Sequence, residues 1–329
     1  MRAIVCKQYG TPEDLVLETM DGLQPGDGEL RIAVKAAGVN FPDILAVAGK
    51  YQIKTPPPFV PGNEVAGVVD AVGAGVTRFK VGDPVIAMAD GGAFAEQCLV
   101  AEHYVMPLID GFSFAEGAGF TITYGTSYHA LKQRAMLTPG ETVLVLGAAG
   151  GVGVTAVELA KAMGATVIAA ASSEQKLRFA ELSGADHCID YSSSSLREEV
   201  KLLTDNNGVD VVYDPVGGEL AQEAFRSLAW QGRYLVIGFA SGDIPNMPAN
   251  IALLKEASVV GVWWGTWARK NPREQAKNVR EMAGLYAEGK ISPRVTEQYA
   301  LDDYVNAFAA ITERRALGKV VLTMGDGDQ

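Results

Sequence analysis

Metal-binding side chains are scarce in this chain. Its 329 residues include three cysteines and three histidines. Cys6, Cys98 and Cys188 stand alone, with no Cys-x-x-Cys pair, and His103, His129 and His187 show no ligand spacing. A catalytic zinc needs three or four Cys, His or carboxylate ligands around it, so the sequence predicts no bound metal. An odd number of isolated cysteines excludes a disulfide framework and fits a reducing compartment. Long apolar runs are missing too. None approaches the roughly 20 residues of a membrane-spanning helix, and the apolar part of Met1-Arg-Ala-Ile-Val-Cys-Lys is too short for a signal peptide. Positive charge is in deficit, with 28 basic and 39 acidic side chains and a net charge of −11. That balance excludes non-specific attachment to nucleic acid or anionic membrane, while leaving room for a local phosphate pocket. These absences predict a cytoplasmic protein without nucleic-acid or membrane partners.

What is present is the composition of a globular protein, 48% hydrophobic and 20% charged. The length favours two domains. In the first third, short apolar runs at 31–37, 66–73, 85–88 and 95–100 alternate with Gly and Pro, which predicts a β-rich, barrel-like lobe. The proline-rich stretch 56–61 must be an extended loop, because Pro lacks the N–H that ladders need. Helical spacing takes over at 114–136. A βα alternation follows, with strands at 142–147, 166–171, 187–191, 209–214, 232–239 and 259–265. Helices lie between them at 152–163, 174–183, 195–203 and 219–229. Such alternation implies a parallel sheet covered by helices on both faces. Amphipathic helices at 272–288 and 302–312, a strand at 319–323 and a frayed tail at 325–329 complete the chain.

Within that alternation lies Val143-Leu-Val-Leu-Gly-Ala-Ala-Gly-Gly-Val-Gly153. A strand runs into a glycine cluster and then a helix, the context a dinucleotide fingerprint requires. Gly150, Gly151 and Gly153, with Val152 between them, would let the backbone approach a pyrophosphate at a helix N-terminus. Free N–H groups and the helix dipole favour negative charge there. Glycines in a tight βα turn can serve the turn alone, but the apolar strand before and the second βα unit after favour a nucleotide.

The second strand of such a unit chooses the nucleotide. NAD enzymes carry Asp or Glu at its tip, about 20 residues beyond the glycines, to bind the ribose 2′-hydroxyl. Here the tip reads Ala170-Ala-Ser-Ser173, followed by Lys176. A 2′-phosphate calls for donors and positive charge, so Ser172, Ser173 and Lys176 favour NADPH. The alternative is that the serines cap the next helix and Lys176 is a solvated face residue. Glu174 lies past the tip, in the first helical turn, where it complements the dipole. The lack of zinc ligands then limits the chemistry. An acceptor polarised without metal must itself accept hydride well, as a quinone or an α,β-unsaturated carbonyl does.

Several segments carry a family resemblance. Gly62-Asn-Glu-Val-Ala-Gly67, continuing to Val72-Gly73, resembles the signature of the medium-chain dehydrogenase/reductase superfamily. Its zinc alcohol dehydrogenases place a ligand histidine just before that glutamate, where Asn63 stands here. Ala37-Gly-Val-Asn-Phe-Pro-Asp43 lacks their ligand cysteine and looks like the Gly-Val-Asn-x-x-Asp segment of the zinc-free quinone oxidoreductase branch, the zeta-crystallin-like NADPH:quinone oxidoreductases. Gly147-Ala-Ala-Gly-Gly-Val-Gly153, Asp210-Val-Val-Tyr-Asp-Pro-Val-Gly217 and Gly318-Lys-Val-Val are similar to that branch as well.

The resemblance implies a Rossmann domain, a doubly wound α/β parallel sheet at 123–265. It would be inserted in a discontinuous, β-rich GroES-like catalytic domain at 1–122 and 266–329. It places Asn40 beside the nicotinamide and the substrate oxygen, supported by Asp43, with Tyr51 lining the cleft as a candidate proton donor. Thr126 would hold the carboxamide. Gly238, Phe239, Ala240, Val262 and Trp263 would line the nicotinamide end. Ser172, Ser173, Lys176, Tyr191 and Arg315 would form the 2′-phosphate and adenosine site, and Lys319 joins the cofactor set. Each has a structural alternative. Asn40 can be a turn residue tolerant of αL, Tyr51 can pack on the proline loop, and Asn63 can satisfy backbone groups. Trp263 and Trp264, adjacent on an expected strand, face opposite sides, so one belongs to core or subunit contact. The expected activity is NADPH-dependent reduction of a quinone or conjugated enone. An enoyl thioester reductase is the rival, with Arg269-Lys-Asn-Pro-Arg273 either cations for a phosphorylated carrier or a solvated loop. A non-catalytic NADPH-binding sensor is the alternative of another class. A homodimer is expected by resemblance, pairing along 259–264.

Overall fold

A computed structural model describes residues 1–325; the expected tail therefore lies, beyond Gly325, outside the described residues. The chain divides into two compact units, Met1–Ile122 with the segment from Pro293 onward, and Thr123–Ser292. The first unit begins with strands β1 (Arg2–Val5), β2 (Val16–Thr19) and β3 (Glu29–Val39), helix α1 (Phe41–Val47), and strands β4 (Glu64–Val72), β5 (Pro84–Met88), β6 (Gln97–Ala101) and β7 (Val105–Pro107). Helix α2 (Phe114–His129) contains the boundary. The second unit then runs β8 (Thr142–Leu146), α3 (Gly151–Ala162), β9 (Thr166–Ala171), α4 (Glu174–Leu182), β10 (His187–Asp190), α5 (Leu196–Leu203), β11 (Val209–Asp214), α6 (Leu220–Arg226), β12 (Leu228–Val236), α7 (Ala249–Lys255), β13 (Ser258–Gly261), α8 (Trp264–Lys270) and α9 (Pro272–Ala287). The chain returns to the first unit with β14 (Val295–Ala300), α10 (Tyr304–Thr312) and β15 (Lys319–Thr323).

In the second unit the six strands are parallel, in the order β10-β9-β8-β11-β12-β13. This is the doubly wound order 3-2-1-4-5-6, and it reverses between β8 and β11. The central strands are continuous apolar runs because both faces are covered: Val143, Leu144, Val145 and Leu146 are all fully buried. In the first unit a seven-stranded sheet follows the order β14-β15-β3-β4-β5-β7, with β6 also pairing β3. Its core holds Ile4, Leu30, Ile32, Val65, Val85, Phe94 and Phe308. No helix among the described residues is long and apolar enough to cross a membrane.

Three local expectations are corrected. The helix expected through 136 ends as α2 at His129 and widens into a π turn, Ala130–Arg134, in which the Ala135 N–H reaches back five residues to the Ala130 carbonyl, with Met136 at φ +50°. The Arg233 guanidinium receives that end, donating to the Ala135 carbonyl and to Glu141. The strand expected at 259–265 stops at Gly261, and Trp264 opens a helix. The second boundary expected at 265/266 falls at 292/293, because α8 and α9 pack within the second unit. Trp264 covers Gly125 and donates from Nε1 to Gln275, while Glu281 accepts from Tyr128 and Lys132.

That packing allows a test. A Cβ at Gly125 would lie 2.4 Å from the Trp264 ring. Alanine ordinarily gains about 1 kcal/mol over glycine inside a helix, but forcing a buried indole aside costs about 1–3 kcal/mol. Gly125→Ala is therefore expected to lower the melting temperature. Adding Trp264→Phe should recover part of the loss, as measured by thermal unfolding of the single and double variants.

Candidate active site

In the second unit, the parallel sheet gathers the C-terminal ends of its strands along one edge. The residues after β8, β9, β10, β11, β12 and β13 are Gly147–Gly153, Ser172–Lys176, Tyr191, Pro215–Gly217, Gly238–Ala240 and Val262–Trp263, in that order. Glycine is required in the first of these turns. Gly147 sits at φ +56°, and a Cβ on Gly153 would strike the Gly147 carbonyl oxygen at 2.2 Å. Gly150 differs: its extended backbone N-caps α3, and a Cβ would meet only that oxygen, at 3.5 Å. Beyond it, Gly151, Val152 and Gly153 form the first turn of α3, whose N–H groups have no intrahelical acceptor. No acidic side chain occupies that turn. Beneath it Ser127 Oγ donates to the Val152 carbonyl and joins Thr155 and Tyr213 in a buried hydroxyl cluster. Thr126 lies half-buried on α2 beside Ser127.

At the end of β9 both readings of the serines have a share. Ser173 caps α4, its Oγ accepting from the Lys176 N–H at 3.4 Å, while Lys176 Nζ donates to Ser172 Oγ at 3.3 Å. Tyr191 packs against the core of the unit and its N–H bonds the Ala171 carbonyl. After β12, Gly238 and Ala240 donate to the Asp214 and Pro215 carbonyls, so the 238–240 loop is laced to the end of β11. Asp214 fastens that end. Its Oδ1 accepts from the Val216 and Gly217 N–H groups at 2.7 and 2.9 Å, and Tyr234 donates to Oδ2. Burial pushes its carboxyl above the usual carboxylate range. In the sequence Asp214 stands out only as part of the motif Asp210–Gly217, where an acidic residue before Pro-Val-Gly was the available sign. The two tryptophans separate as expected in kind, though not on a strand. Trp264 is buried and Trp263 is 54% exposed at the head of α8.

In the first unit the expected residues form a buried polar cluster where β3 runs into α1. Asn40 N-caps α1 with extended backbone, φ −128°, so it is not a left-handed turn residue. Its N–H donates to Asp43 Oδ2 at 2.8 Å, and Asp43 Oδ1 accepts from Asn63 Nδ2 at 2.9 Å. Asn63 thus serves a side chain rather than backbone groups. The Asn40 amide is engaged at both ends. Nδ2 donates to Glu64 Oε1 at 2.9 Å and to the Gly38 carbonyl at 3.3 Å, while Oδ1 accepts from Lys319 Nζ at 2.6 Å. Lys319, expected at the cofactor, is buried and spends its ammonium on Asn40 and Glu64. Arg315 is exposed and tied to Glu313 and Glu297. Tyr51 is half-buried in the bend that follows α1. The described residues contain no cluster of three or more His, Cys, Asp or Glu suited to a metal.

Burial raises the Asp43 carboxyl from 3.8 to about 7, against the opposing bonds from Asn40 and Asn63 and the charge of Lys319. A carboxyl whose folded pKa exceeds its unfolded one holds a proton that the unfolded chain has already released between about pH 4 and 7. Its contribution to stability is therefore fully present in acid and lost as pH rises through 7. Asp43→Asn removes that penalty. Its stability relative to the parent should rise by about 1–3 kcal/mol from pH 5 to pH 8, and parallel thermal melts giving a pH-independent gap would refute the assignment.

Comparisons with known proteins agree with this fold. Residues 26–110 match the alcohol dehydrogenase GroES-like domain family, and residues 151–283 match the zinc-binding dehydrogenase family. The quinone oxidoreductase-like protein 2 homolog of Nematostella vectensis is 38% identical over 98% of this chain and 88% of its own length. The structure of Escherichia coli quinone oxidoreductase complexed with NADPH superposes with a TM-score of 0.91 at 29% identity, covering 98% of this chain and 100% of that one. CurK enoyl reductase gives a TM-score of 0.89 at 27% identity, covering 98% and 99%. With its doubly wound nucleotide unit, its discontinuous β-rich unit and asparagine at position 63, the chain belongs to the zinc-free quinone oxidoreductase branch of the medium-chain dehydrogenase/reductase superfamily, a family of oxidoreductases.

Proposed function

We propose that this protein is an NADPH-dependent reductase of quinones or conjugated enones. One observation carries the cofactor choice: at the acid-free end of β9, Lys176 and Ser172 meet at 3.3 Å beside the open glycine turn. That pair offers a cation and a hydroxyl to a 2′-phosphate, and Gly150 leaves the space over α3 that a pyrophosphate fills. Tyr191 flanks the adenosine end. Thr126, the 238–240 loop, Val262 and Trp263 serve the nicotinamide end. Bound NADPH supplies a hydride, and the acceptor takes that hydride together with one proton.

The chain's residues then orient the acceptor and handle the proton. Asn40 offers its amide edge to the acceptor oxygen, exchanging its long 3.3 Å bond to the Gly38 carbonyl for that contact. Tyr51 or a water delivers the proton to the oxyanion. Asp43 holds the Asn40 backbone while this happens. The protein acts as a homodimer in the cytoplasm, paired along β13, an edge strand of its sheet whose Val259 is 46% exposed. An enoyl thioester is the second candidate acceptor, favoured by the likeness to CurK enoyl reductase. A panel of quinones, enones and 2-enoyl thioesters, followed by NADPH absorbance, ranks the acceptors; turnover confined to thioesters would replace the quinone reading.

Two variants test the cofactor site. Gly150→Ala is expected to melt within about 0.5 kcal/mol of the parent yet bind NADPH at least about tenfold more weakly, or ~1.4 kcal/mol. Gly153→Ala, whose methyl meets backbone, should lose stability as well; titration of cofactor fluorescence and thermal melts separate the two. Lys176→Ala should raise KM for NADPH by about tenfold or more, the worth of a charge-assisted bond, and leave KM for NADH unchanged. Equal use of NADH and NADPH by the parent enzyme would sink the 2′-phosphate assignment.

A further inference from the structure

The Glu64–Lys319 pair is the least expected feature of the first unit. Lys319 Nζ lies 2.5 Å from Glu64 Oε1, and their side chains are 6% and 0% exposed. Glu64 Oε2 accepts the Ile122 N–H at 2.8 Å, so the carboxylate is engaged at both oxygens. The backbone makes room for both side chains. A Cβ on Gly38 would lie 2.3 Å from Glu64 Oε1, and one on Gly119 would lie 2.9 Å from Lys319 Cγ. Burying two charges is costly, and replacing such a pair with apolar residues is often neutral or stabilising. Stability alone therefore gives no account of it.

What the pair touches does. Glu64 receives the Asn40 Nδ2 edge and Lys319 grips Asn40 Oδ1, so the two charges hold opposite ends of one amide. A cation on the oxygen of an amide withdraws electron density and makes its N–H groups better donors. We propose that Lys319 is a positioning residue: a fixed internal cation that, with Glu64, sets the orientation of the Asn40 amide and strengthens it as a donor to the acceptor oxygen. This rests on the reductase reading above, in which Asn40 meets that oxygen.

Lys319→Gln and the double variant Glu64→Gln/Lys319→Gln test it. The single variant strands Glu64 as a buried unpaired carboxylate and should lose stability. The double variant removes both charges and should melt near the parent temperature. In the double variant kcat with the best acceptor should fall at least about tenfold, while KM for NADPH moves less than about threefold. A double variant that regains parent stability together with parent kcat overturns the proposal, since the pair would then be structural only. Lys319 as a cofactor ligand would instead show as a raised KM for NADPH. A second readout needs no turnover. In protein labelled with ¹⁵N-asparagine, the Asn40 amide protons, identified by their loss in Asn40→Asp, should exchange slowly in the parent and rapidly in the double variant. Unchanged exchange overturns the proposal even if no acceptor is found, whereas an inactive parent with the expected exchange change overturns only the reductase reading.

Discussion

The Asn40 amide in the first unit is held at both ends by an ion pair between residues 255 positions apart, Glu64 and Lys319. Glu64 opens β4 and Lys319 opens β15, and β3 lies between these strands in the sheet. The register that pairs Val320 with Val39 brings the lysine next to the end of β3, one residue before Asn40. Sheet pairing delivers the charge, and the charge orients the amide. The order of causes runs from backbone ladder to electrostatics to the geometry of a candidate active site.

The second unit reaches its site by another route. Among the described residues, no ion pair organises the glycine turn. It is organised by the absence of side chains, where Gly153 lets its backbone approach the Gly147 carbonyl, and by hydroxyls beneath α3 that bond the Val152 carbonyl. Asp214 does for the end of β11 what the glycines do for the end of β8, using a buried carboxylate in place of a missing Cβ. The turns on either side of the point where the strand order reverses are thereby fixed by unlike means.

Much of this second unit could be read from the chain. Apolar strands, a glycine cluster and an acid-free strand tip are local signals, and each lies within about thirty residues of the others. The cluster around Asn40 was only half legible. Asn40, Asp43 and Asn63 were found by motif, but the bond between Lys319 and Glu64 spans most of the chain, and no local pattern announces it. Lys319 was accordingly placed with the cofactor residues, whereas its ammonium bonds Asn40 and Glu64. Trp264 was misread as strand because β-branched residues precede it; the helix begins where its indole finds the space over Gly125. The late second boundary was hidden for the same reason, since the amphipathic pattern of α9 says which face is buried and not what covers it.

The discontinuity of the first unit has a consequence for how the chain is made. Strands β14 and β15, which form one side of its large sheet, are synthesised after the whole of the second unit. Until they emerge, β3 lacks its β15 neighbour along Ala36–Val39 and Glu64 lacks Lys319 as its counter-charge. The uninterrupted second unit faces no such delay. Synthesis therefore reverses the usual N-terminal-first order: the nucleotide unit can mature while the earlier-made lobe waits with one side of its sheet open.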